Sequence, residues 1–503
     1  MSDLKRVLII GGGITGLAAA HRVLERSADL AQPVEVRLLE ADSQAGGIIK
    51  TDERDGFLIE RGPDSFITEK PEALSLVRRL GIEPHLVDTN NDHRRSFVVR
   101  KNRLLPVPSG FNLLAPTRLL PVVTSRIFSW PGKARIAMDL VIPRRRKTTD
   151  YVDESLAEFV RRRLGREALE RMAQPMAGGI YTADPEQLSL QATLPRFHDI
   201  ERQHRSLILG LRSRSKPANG SPGSHPDETG RFAAASGARY GMFRSFDQCM
   251  QLLTDQLVSA IMYLNSKLHG NRGGPPVRLD TRVESLARHT SGSATQWVAR
   301  TARDETFVAD AVCLALPAFA SSRFLRRIDP ELASDLSAIS YASSATINLA
   351  YKRDDIPHRL NGFGFVVPFI EKRTVMACTF SSVKFSNRAP EGHALLRAFV
   401  GGALQPELVE LDDDELTSRV RQDLRQLLGV EAPPLFAEVS KWPRSMPQYF
   451  VGHVDRVRTI NERAERLPGL ALAGNAFEGP GIPDCVRSGE SAADKLFESL
   501  QLS

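Results

Sequence analysis

The sequence contains few cysteines, and their positions exclude the usual cysteine-based sites. Four occur among 503 residues, at Cys249, Cys313, Cys378 and Cys485, with no CxxC pair or other metal-ligand spacing. Such scattered thiols do not form a disulfide framework and are typical of a reducing, cytosolic compartment. The 11 histidines include no HExxH-type pair, so we expect no metal site.

Long apolar runs are also absent. No segment approaches the roughly 20 consecutive apolar residues of a membrane-spanning helix. Residues 1–6 lead directly into an apolar strand, which leaves no room for a secretory signal peptide. No basic run is interleaved with aromatic residues, so nucleic acid is not an expected partner. The net charge of +7 still allows a basic patch for an anionic substrate or a membrane surface.

Glycines are concentrated in one short segment near the N-terminus, VLIIGGGITGLAAAHRV at residues 7–23. The apolar run before Gly11 is typical of a parallel strand that is buried on both faces. Gly11, Gly13 and Gly16 have the GxGxxG spacing, in which the first allows a tight turn, the second lets the backbone approach a pyrophosphate, and the third lets the helix pack on its strand. The N-terminus of that helix favours phosphate.

The next strand strengthens the prediction of a dinucleotide site. Residues 34–40, VEVRLLE, read as a strand that ends in Glu40, an acid placed to accept a ribose hydroxyl. Glu40 lies 24 residues after Gly16, farther than usual, and we expect residues 27–33 to form a loop that absorbs the excess. Strand, turn, helix, strand and acid in this order indicate NAD or FAD.

Two further glycine-rich segments favour FAD over NAD. Gly46 and Gly47 in ADSQAGG are placed to bring a second backbone segment against the pyrophosphate. Residues 470–474, LALAG, read as a short strand before the turn NAFEGPGIP, and a helix is predicted to begin near residues 482–484. Its N-terminus would face the flavin edge on which negative charge gathers during reduction.

Several motifs carry a family resemblance. ERGPDSF at residues 60–66, HRSLILGL at 204–211, NGFGFVVP at 361–368 and KWPRSMPQY at 441–449 occur in order before the terminal FEGPGIPDCVRSGESAA. Together they resemble the oxygen-dependent protoporphyrinogen and coproporphyrinogen III oxidases, which are amine-oxidase-like flavoproteins. Two segments depart from that pattern: a polar insert at 212–239, expected to be a surface loop, and Tyr240-Gly241-Met242 in place of the family's GGM.

The resemblance implies an α/β protein with a discontinuous Rossmann-like FAD-binding domain, a mixed-sheet substrate domain and a helical lid that contacts the membrane. The expected FAD-binding segments are 1–92, 234–322 and 448–503; the substrate segments are 93–104, 205–233 and 323–447; the lid is 105–204. The motifs and the resemblance together assign FAD contacts to Gly11, Gly13, Ile14, Thr15, Gly16, Glu40, Gly46, Gly47, Gly62, Pro63, Asp64, Val283, Trp442, Gly474, Gly481, Ile482 and Pro483.

The substrate side requires an apolar cleft and a cation, because a porphyrinogen is a largely apolar macrocycle that carries propionates. The resemblance assigns ring contacts to Phe363 and Val366, and a propionate contact to Arg95. An arginine can bind a carboxylate with two hydrogen bonds. Arg94 and Arg100 lie close enough in sequence to leave the choice of arginine open.

The implied reaction is a six-electron oxidation in haem synthesis, in three two-electron steps, with flavin N5 as hydride acceptor and O₂ as oxidant, releasing H₂O₂. No general base is assigned, because a turn cap explains Asp64 and a helix cap explains Asp484 equally well. The stretch 104–147, which covers the first part of the expected lid, is largely apolar and ends in RRRK at 144–147, which suits an anionic membrane surface.

The expected partners are the porphyrinogen and O₂. The resemblance leaves open a peripheral membrane contact, a homodimer, and transfer of the product to the next enzyme of haem synthesis, and it implies a cytoplasmic or membrane-associated protein. The sequence does not distinguish protoporphyrinogen IX from coproporphyrinogen III. Two alternatives to a porphyrinogen oxidase are an amine oxidase or carotenoid desaturase, and a flavin-binding protein that has lost turnover.

Overall fold

A sheet of five parallel strands carries the first glycine-rich turn. The computed structural model describes residues 4–145, 153–214, 243–270, 274–291 and 294–500, and therefore leaves out residues 240–242 and most of the insert at 212–239. In spatial order the strands are Val277–Arg278, Val34–Leu39, Lys5–Ile10, Ala311–Leu314 and Leu470–Leu472.

Helices cover this sheet and explain why its central strand is apolar. The helix Ile14–Asp29 follows the glycine turn, and the terminal helix Ile482–Ser499 packs beside it. Helices Pro71–Arg79, Gln251–His269, Ala318–Leu325, Pro330–Ser337 and His453–Glu465 complete this part of the molecule. The predicted loop at 27–33 is wrong in its first three residues, because the helix continues to Asp29. Ser27 is buried, and its hydroxyl donates to the Gln32 carbonyl and accepts from the Val34 amide.

A three-stranded antiparallel meander joins two strands of the parallel sheet. Its strands are Val283–Ser291, Ala294–Thr301 and Thr306–Ala309. The sequence predicts half-buried strands through this whole region, but Ala311–Leu314 is buried along its length because it belongs to the parallel sheet. Smaller sheets are formed by Thr51–Arg54 with Phe57–Glu60, and by Phe66–Ile67, Phe243–Phe246 and Leu86–Asp88.

A seven-stranded mixed sheet forms the second layer. Its order is Phe436–Pro447, Tyr341–Lys352, His393–Gly401, Ala377–Phe380, Gly364–Val366, Phe97–Arg100 and Arg103–Pro106. Its pairings are antiparallel except that Gly364–Val366 runs parallel to Phe97–Arg100. Helices Ser381–Lys384 and Asp413–Leu428 pack against this sheet.

A helical layer follows the hairpin Phe111–Asn112 and Ala115–Pro116. Its α-helices are Leu120–Thr124, Trp130–Ala137, Leu156–Arg163, Arg166–Ala168, Gln174–Tyr181, Leu190–Thr193, Pro195–His204 and Leu207–Arg214, with a π-helical turn at Leu169–Ala173. Within the described residues, no helix combines the length and apolar character needed to cross a bilayer.

Helix packing continues past two residues at which the sequence places a domain boundary, and the domain division itself stays a prediction. Leu207 is buried in the core of the helical layer, so this layer continues beyond the expected end at residue 204. Helix Ala318–Leu325 spans the expected boundary at residue 322, and it packs with Leu8 and Ile10 of the parallel sheet. Both differences arise because a helix stays with the apolar surface it covers, which the sequence pattern alone does not identify.

Candidate cofactor and substrate site

The first glycine turn has room for a ligand at one of its three glycines. Gly11 has φ +108°, and a Cβ there would overlap the carbonyl oxygen of Ala315. A Cβ at Gly16 would overlap the carbonyl oxygen of Gly11. A Cβ at Gly13 would meet no described atom within 4 Å. Gly11 and Gly16 are therefore required by packing, whereas Gly13 borders open space that a phosphate group could fill.

The helix after this turn begins without a side-chain cap. Gly13 is its N-cap residue, and no acidic residue lies in its first turn, which includes the buried residues Ile14 and Thr15. The first N–H groups of a helix lack partners within the helix and carry a partial positive charge. This end of the helix suits an anionic group.

Glu40 lies directly against the glycine turn. One carboxylate oxygen accepts the Gly12 amide at 2.5 Å, and the other accepts the Asp42 amide at 2.8 Å. A carboxylate has further lone pairs, so these bonds orient it without preventing a contact to a ribose hydroxyl. Val283, one of the predicted FAD contacts, begins a strand two residues after Thr281, whose amide donates to the Glu40 carbonyl at 2.7 Å.

The second glycine pair packs on the first turn. The Gly46 amide donates to the Gly12 carbonyl at 2.8 Å, and Gly13 and Gly46 form an isolated parallel bridge. A Cβ at Gly47 would lie 3.2 Å from the Gly13 Cα. The predicted approach of two backbone segments at this point is present in the fold.

The motif ERGPDSF is held by side chains of the seven-stranded sheet. A Cβ at Gly62 would overlap the carbonyl oxygen of Ile48, so this segment lies against the residue that follows Gly47. The Arg61 carbonyl accepts from the Thr346 hydroxyl at 3.0 Å and from the Trp442 indole at 3.1 Å. The indole N–H of Trp442, a predicted FAD contact, therefore donates to the motif and helps to orient it.

Asp64, which follows Gly62 and Pro63, is a half-buried ion-pair partner rather than a simple turn cap. Both of its carboxylate oxygens accept from the Lys384 ammonium at 2.9 Å. Burial alone would raise the pKa of Asp64, but the charges of Lys384 and Arg397 outweigh it and hold that pKa well below its usual range. A carboxylate in this state is not a general base near neutral pH.

The C-terminal glycine turn leads into the terminal helix, which begins at Ile482 with Gly481 as its N-cap residue. Ile482 and Pro483 are buried in the first turn. Gly474 has φ +142°, and its amide donates to the Ser488 hydroxyl at 3.0 Å. The predicted start of this helix is confirmed.

Asp484 is the third residue of this helix and does not cap it. Its carboxylate accepts from Lys70 at 2.6 and 2.7 Å and from Arg487 at 2.8 Å. A Cβ at Gly479 would overlap this carboxylate. The ion pairs explain Asp484 structurally and leave no unpaired base at the position.

The two ends of the chain meet through a residue that the sequence analysis missed. A Cβ at Gly489 would overlap the Thr15 carbonyl oxygen and would lie 3.1 Å from the Ala19 amide. Cys485, one turn earlier, is buried, and burial raises the pKa of its thiol to about 12. A glycine in a helix interior costs about 1 kcal/mol relative to alanine, so Gly489 was itself a signal of close helix packing.

The predicted ring contacts lie on the seven-stranded sheet. Phe363 is only 3% exposed, and its amide donates to the Arg95 carbonyl at 2.9 Å. Val366 is partly buried and packs against the core of the helical layer. The fold therefore brings the segments of Arg95, Phe363 and Val366 together between the sheet and the helical layer.

The Arg95 side chain lines an open cleft at this boundary. The cleft has a volume of about 760 Å³. Arg94 and Arg126 line it together with Arg95, and its apolar wall includes Leu105 and Val107. Phe363 and Val366 are not part of its lining, so the cationic and aromatic candidates lie in neighbouring places.

Comparisons with known proteins identify the family. Residues 14–496 match the flavin containing amine oxidoreductases. The chain belongs to this family. It is 36% identical to a coproporphyrinogen III oxidase of Bacillus subtilis, across 99% of this chain and 100% of the relative. It is 27% identical to a mitochondrial protoporphyrinogen oxidase of Nicotiana tabacum, across 99% and 96%.

Solved structures are similar over the same length. A putative protoporphyrinogen oxidase from an Exiguobacterium species superposes with a TM-score of 0.81 at 29% identity, and each chain is covered completely. A wild-type putrescine oxidase bound to putrescine gives a TM-score of 0.64 at 16% identity, across 98% of this chain and 99% of that chain, which supports the fold alone.

The cofactor of this flavin-containing oxidoreductase is FAD. A dinucleotide turn, with Glu40 beside it, is a feature that FAD requires and a mononucleotide flavin does not. The open space at Gly13, the uncapped helix start and the adjoining Gly46–Gly47 turn fit the pyrophosphate of FAD. The individual FAD contacts of the predicted residues remain predictions that this geometry supports.

Sequence reasoning also missed the side chains that hold the site together. Lys384, Arg397, Thr346 and Asn348 all come from strands or helices far from the glycine turns. Their residue types carry no local motif, and only the pairing of the seven-stranded sheet shows which of them face the FAD segments.

Proposed function

We propose that this protein is an FAD-dependent, oxygen-consuming oxidase that converts a porphyrinogen to the porphyrin, with coproporphyrinogen III as its preferred substrate. Curated relatives named coproporphyrinogen III oxidase are 32 to 36% identical to the chain. Those named protoporphyrinogen oxidase are 27 to 28% identical. Bound FAD supplies the two-electron oxidation, and the chain's own residues bind and orient the substrate.

The observation that carries the choice of substrate is the arginine-lined cleft. Coproporphyrinogen III carries four propionates and protoporphyrinogen IX carries two, so the former needs more cations at its rim. Among the described residues, neither Arg95 nor Arg126 has an ion-pair partner. Both guanidinium groups are therefore available to carboxylates in a cleft whose volume suits a small-molecule ligand.

Turnover of the two porphyrinogens by the purified holoenzyme tests this proposal. Porphyrin fluorescence and H₂O₂ are followed in air, and we expect faster turnover of coproporphyrinogen III. Arg95→Ala and Arg126→Ala should each raise KM for this substrate about tenfold, with a smaller effect on kcat. Arg303→Ala, an exposed arginine in the meander turn, is the matched control.

Each outcome bears on a different part of the proposal. Faster turnover of protoporphyrinogen IX would contradict the substrate preference, and turnover of neither would contradict the oxidase. Phe363→Ala should reduce porphyrinogen turnover while the purified protein keeps its flavin absorbance. Loss of the flavin from that variant would contradict its assignment to the substrate.

The helical layer also supports a peripheral membrane contact. Large apolar side chains are exposed along residues 120–141, with Leu120 at 74%, Trp130 at 72% and Val141 at 68%. The Lys133 ammonium lies 4.4 Å from the centre of the Trp130 ring. Apolar side chains beside cations are typical of surfaces that insert shallowly into anionic bilayers.

Vesicle sedimentation tests this contact. The protein should sediment with vesicles that contain anionic phosphatidylglycerol and much less with pure phosphatidylcholine. Leu120→Glu with Trp130→Glu should abolish sedimentation, whereas Tyr263→Glu, a change at a 67% exposed residue on another helix, should not. Equal sedimentation of all three proteins would contradict the contact. The domain division, a homodimer and product transfer to the next enzyme stay predictions.

A further inference from the structure

Arg397 is a buried cation whose guanidinium group contacts the FAD-binding motif. It lies in His393–Gly401, an interior strand of the seven-stranded sheet, and is 3% exposed. Its Nη2 donates to the carbonyl oxygens of Gly62 and Arg61. Its Nε is buried without a hydrogen-bond partner. The nearest aromatic ring is that of Phe399, 4.9 Å from the guanidinium carbon.

No carboxylate pairs directly with this guanidinium. Within the part of the chain that the structure describes, no Asp or Glu oxygen lies within 4.0 Å of Arg397. The nearby Asp64 is already paired with Lys384 at 2.9 Å. A buried charge without a direct partner carries a desolvation penalty of several kcal/mol, so its presence requires a compensating role.

The surrounding charges leave a positive excess. Two buried cations, Arg388 and Arg397, and the half-buried Lys384 lie near one buried carboxylate, Glu60, and the half-buried carboxylate of Asp64. Arg388 has two buried guanidinium nitrogens without hydrogen-bond partners, Nε and Nη1. Even with both carboxylates ionised, one positive charge remains uncompensated beside Gly62.

We propose that Arg397 is a positioning residue that holds the Gly62 carbonyl and, through its uncompensated charge, raises the reduction potential of the bound FAD. The proposal rests on FAD occupying the site described above, and it does not depend on which porphyrinogen is oxidised. The Gly62 backbone lies against the Ile48 carbonyl. Gly47, the residue before Ile48, lies against Gly13, which borders the open space. A fixed cation in this dry region acts strongly on negative charge that gathers on the flavin during reduction.

The competing explanation is that Arg397 only holds the motif in place through its hydrogen bonds. Uncharged neighbours that donate to the same motif allow this structural role to be distinguished from an effect of charge. Thr346 and Asn348 also donate to carbonyls of this motif, at 3.0 Å to Arg61 and 3.3 Å to Glu60, but they are uncharged. Removing one of these bonds loosens the same backbone without changing the local charge.

The test measures the midpoint potential of the holoenzyme's flavin by dye equilibration in the absence of any porphyrinogen. Arg397→Gln keeps a hydrogen-bond donor and loses the charge, and its potential should shift to lower values. Arg397→Lys keeps the charge and should stay near the wild-type potential. Thr346→Val, the uncharged control, should lower thermal stability and leave the potential unchanged. Flavin absorbance reports whether each variant retains FAD.

Two results would overturn the proposal: a wild-type potential in FAD-loaded Arg397→Gln, or a fall of equal size in Arg397→Lys. Should Arg397→Gln fail to fold, Lys384→Met decides the matter at a side chain that is 12% exposed. Without Lys384, Asp64 becomes the counterion of Arg397, and the potential should fall; an unchanged potential overturns the proposal. Because no porphyrinogen is used, a failure here is distinct from a failure of the proposed oxidase activity.

Discussion

The nucleotide end of the site and the helical layer are stabilised by different kinds of contact. At the nucleotide end, main-chain atoms of the turns that contain Gly13 and Gly47 border the open space, and the close packing of the surrounding segments tolerates no Cβ at Gly16, Gly62 or Gly489. In the helical layer, the order comes from buried charged side chains, above all the fully buried pair of Asp139 and Arg163. A side chain added at a close backbone contact causes a steric overlap that the fold cannot accommodate in part. The loss of stability from a change in a charge network depends instead on which residue replaces the charged one.

The largest effect is expected at the contact between the two chain ends. Gly489→Ala places a Cβ on the Thr15 carbonyl oxygen, and only movement of the terminal helix or of the helix Ile14–Asp29 relieves the overlap. Since both helices begin at turns that are predicted to bind FAD, the purified variant should lose its flavin absorbance and several kcal/mol of stability.

The matched control is Gly179→Ala, also within a helix, where a Cβ would meet no described atom within 4 Å. That change should be neutral or slightly stabilising. Retention of stoichiometric FAD by Gly489→Ala would show that the helix contact does not support the cofactor site.

The second effect concerns the charge network. Arg163 donates from Nε to the Asp139 carboxylate at 2.8 Å and from Nη1 to the Ile142 carbonyl at 3.2 Å. Arg163→Met leaves the Asp139 carboxylate buried without its cation, which should cost about 3 to 5 kcal/mol in urea unfolding. Arg166→Met removes an arginine that is 81% exposed and, among the described residues, pairs with Glu170 alone; this change should cost much less stability than Arg163→Met.

A change in the helical layer should affect FAD binding less than a change at the nucleotide end of the site. Arg163→Met should retain FAD under conditions in which it is folded, because the pair belongs to the helical layer. Equal costs for Arg163→Met and Arg166→Met, or loss of FAD from the folded Arg163→Met protein, would remove the distinction between the two regions.

The sequence predicts features that depend on local backbone geometry, but not contacts that depend on tertiary packing. The roles of Gly11, Gly13 and Gly16, and the helix start at Ile482, depend on local backbone rules and were visible as spacing. Arg397 and Lys384 were not predictable, because their importance depends on strand pairing between segments hundreds of residues apart from the motif. The domain division, with its expected ends at residues 204 and 322, stays a prediction for the same reason, since tertiary packing decides which core a helix joins.

A third prediction concerns pH and the C-terminal turn. Burial lowers the pKa of His453 from its usual 6.5 to about 4, and its Nε2 donates to the Phe477 carbonyl at 3.2 Å. The unfolded chain therefore binds a proton at higher pH than the folded protein does. Stability contributed by the neutral imidazole is present above pH 6.5 and is lost as the pH falls towards 4, by about 3 kcal/mol in all.

His453→Gln keeps a donor for the Phe477 carbonyl and removes the titration. The free energy of unfolding of this variant, measured in urea between pH 7 and pH 4, should fall less steeply than that of the wild type. His289→Gln, at an exposed strand position, should keep the wild-type slope. Identical slopes for all three proteins would show that His453 is not buried as a neutral side chain.

The smallest effect tests whether the carbonyl of Arg61 is held redundantly. It accepts from Thr346, Trp442 and more weakly from Arg397, at 3.0, 3.1 and 3.3 Å. Trp442→Phe or Thr346→Val alone leaves the carbonyl with other donors, so each should cost about 1 kcal/mol and weaken FAD binding about threefold. The double variant should cost more than the sum, because a buried carbonyl then loses both of its shorter bonds. Strict additivity in unfolding and FAD titration would mean that the two donors act independently, and that the motif is held mainly by its contact with Ile48.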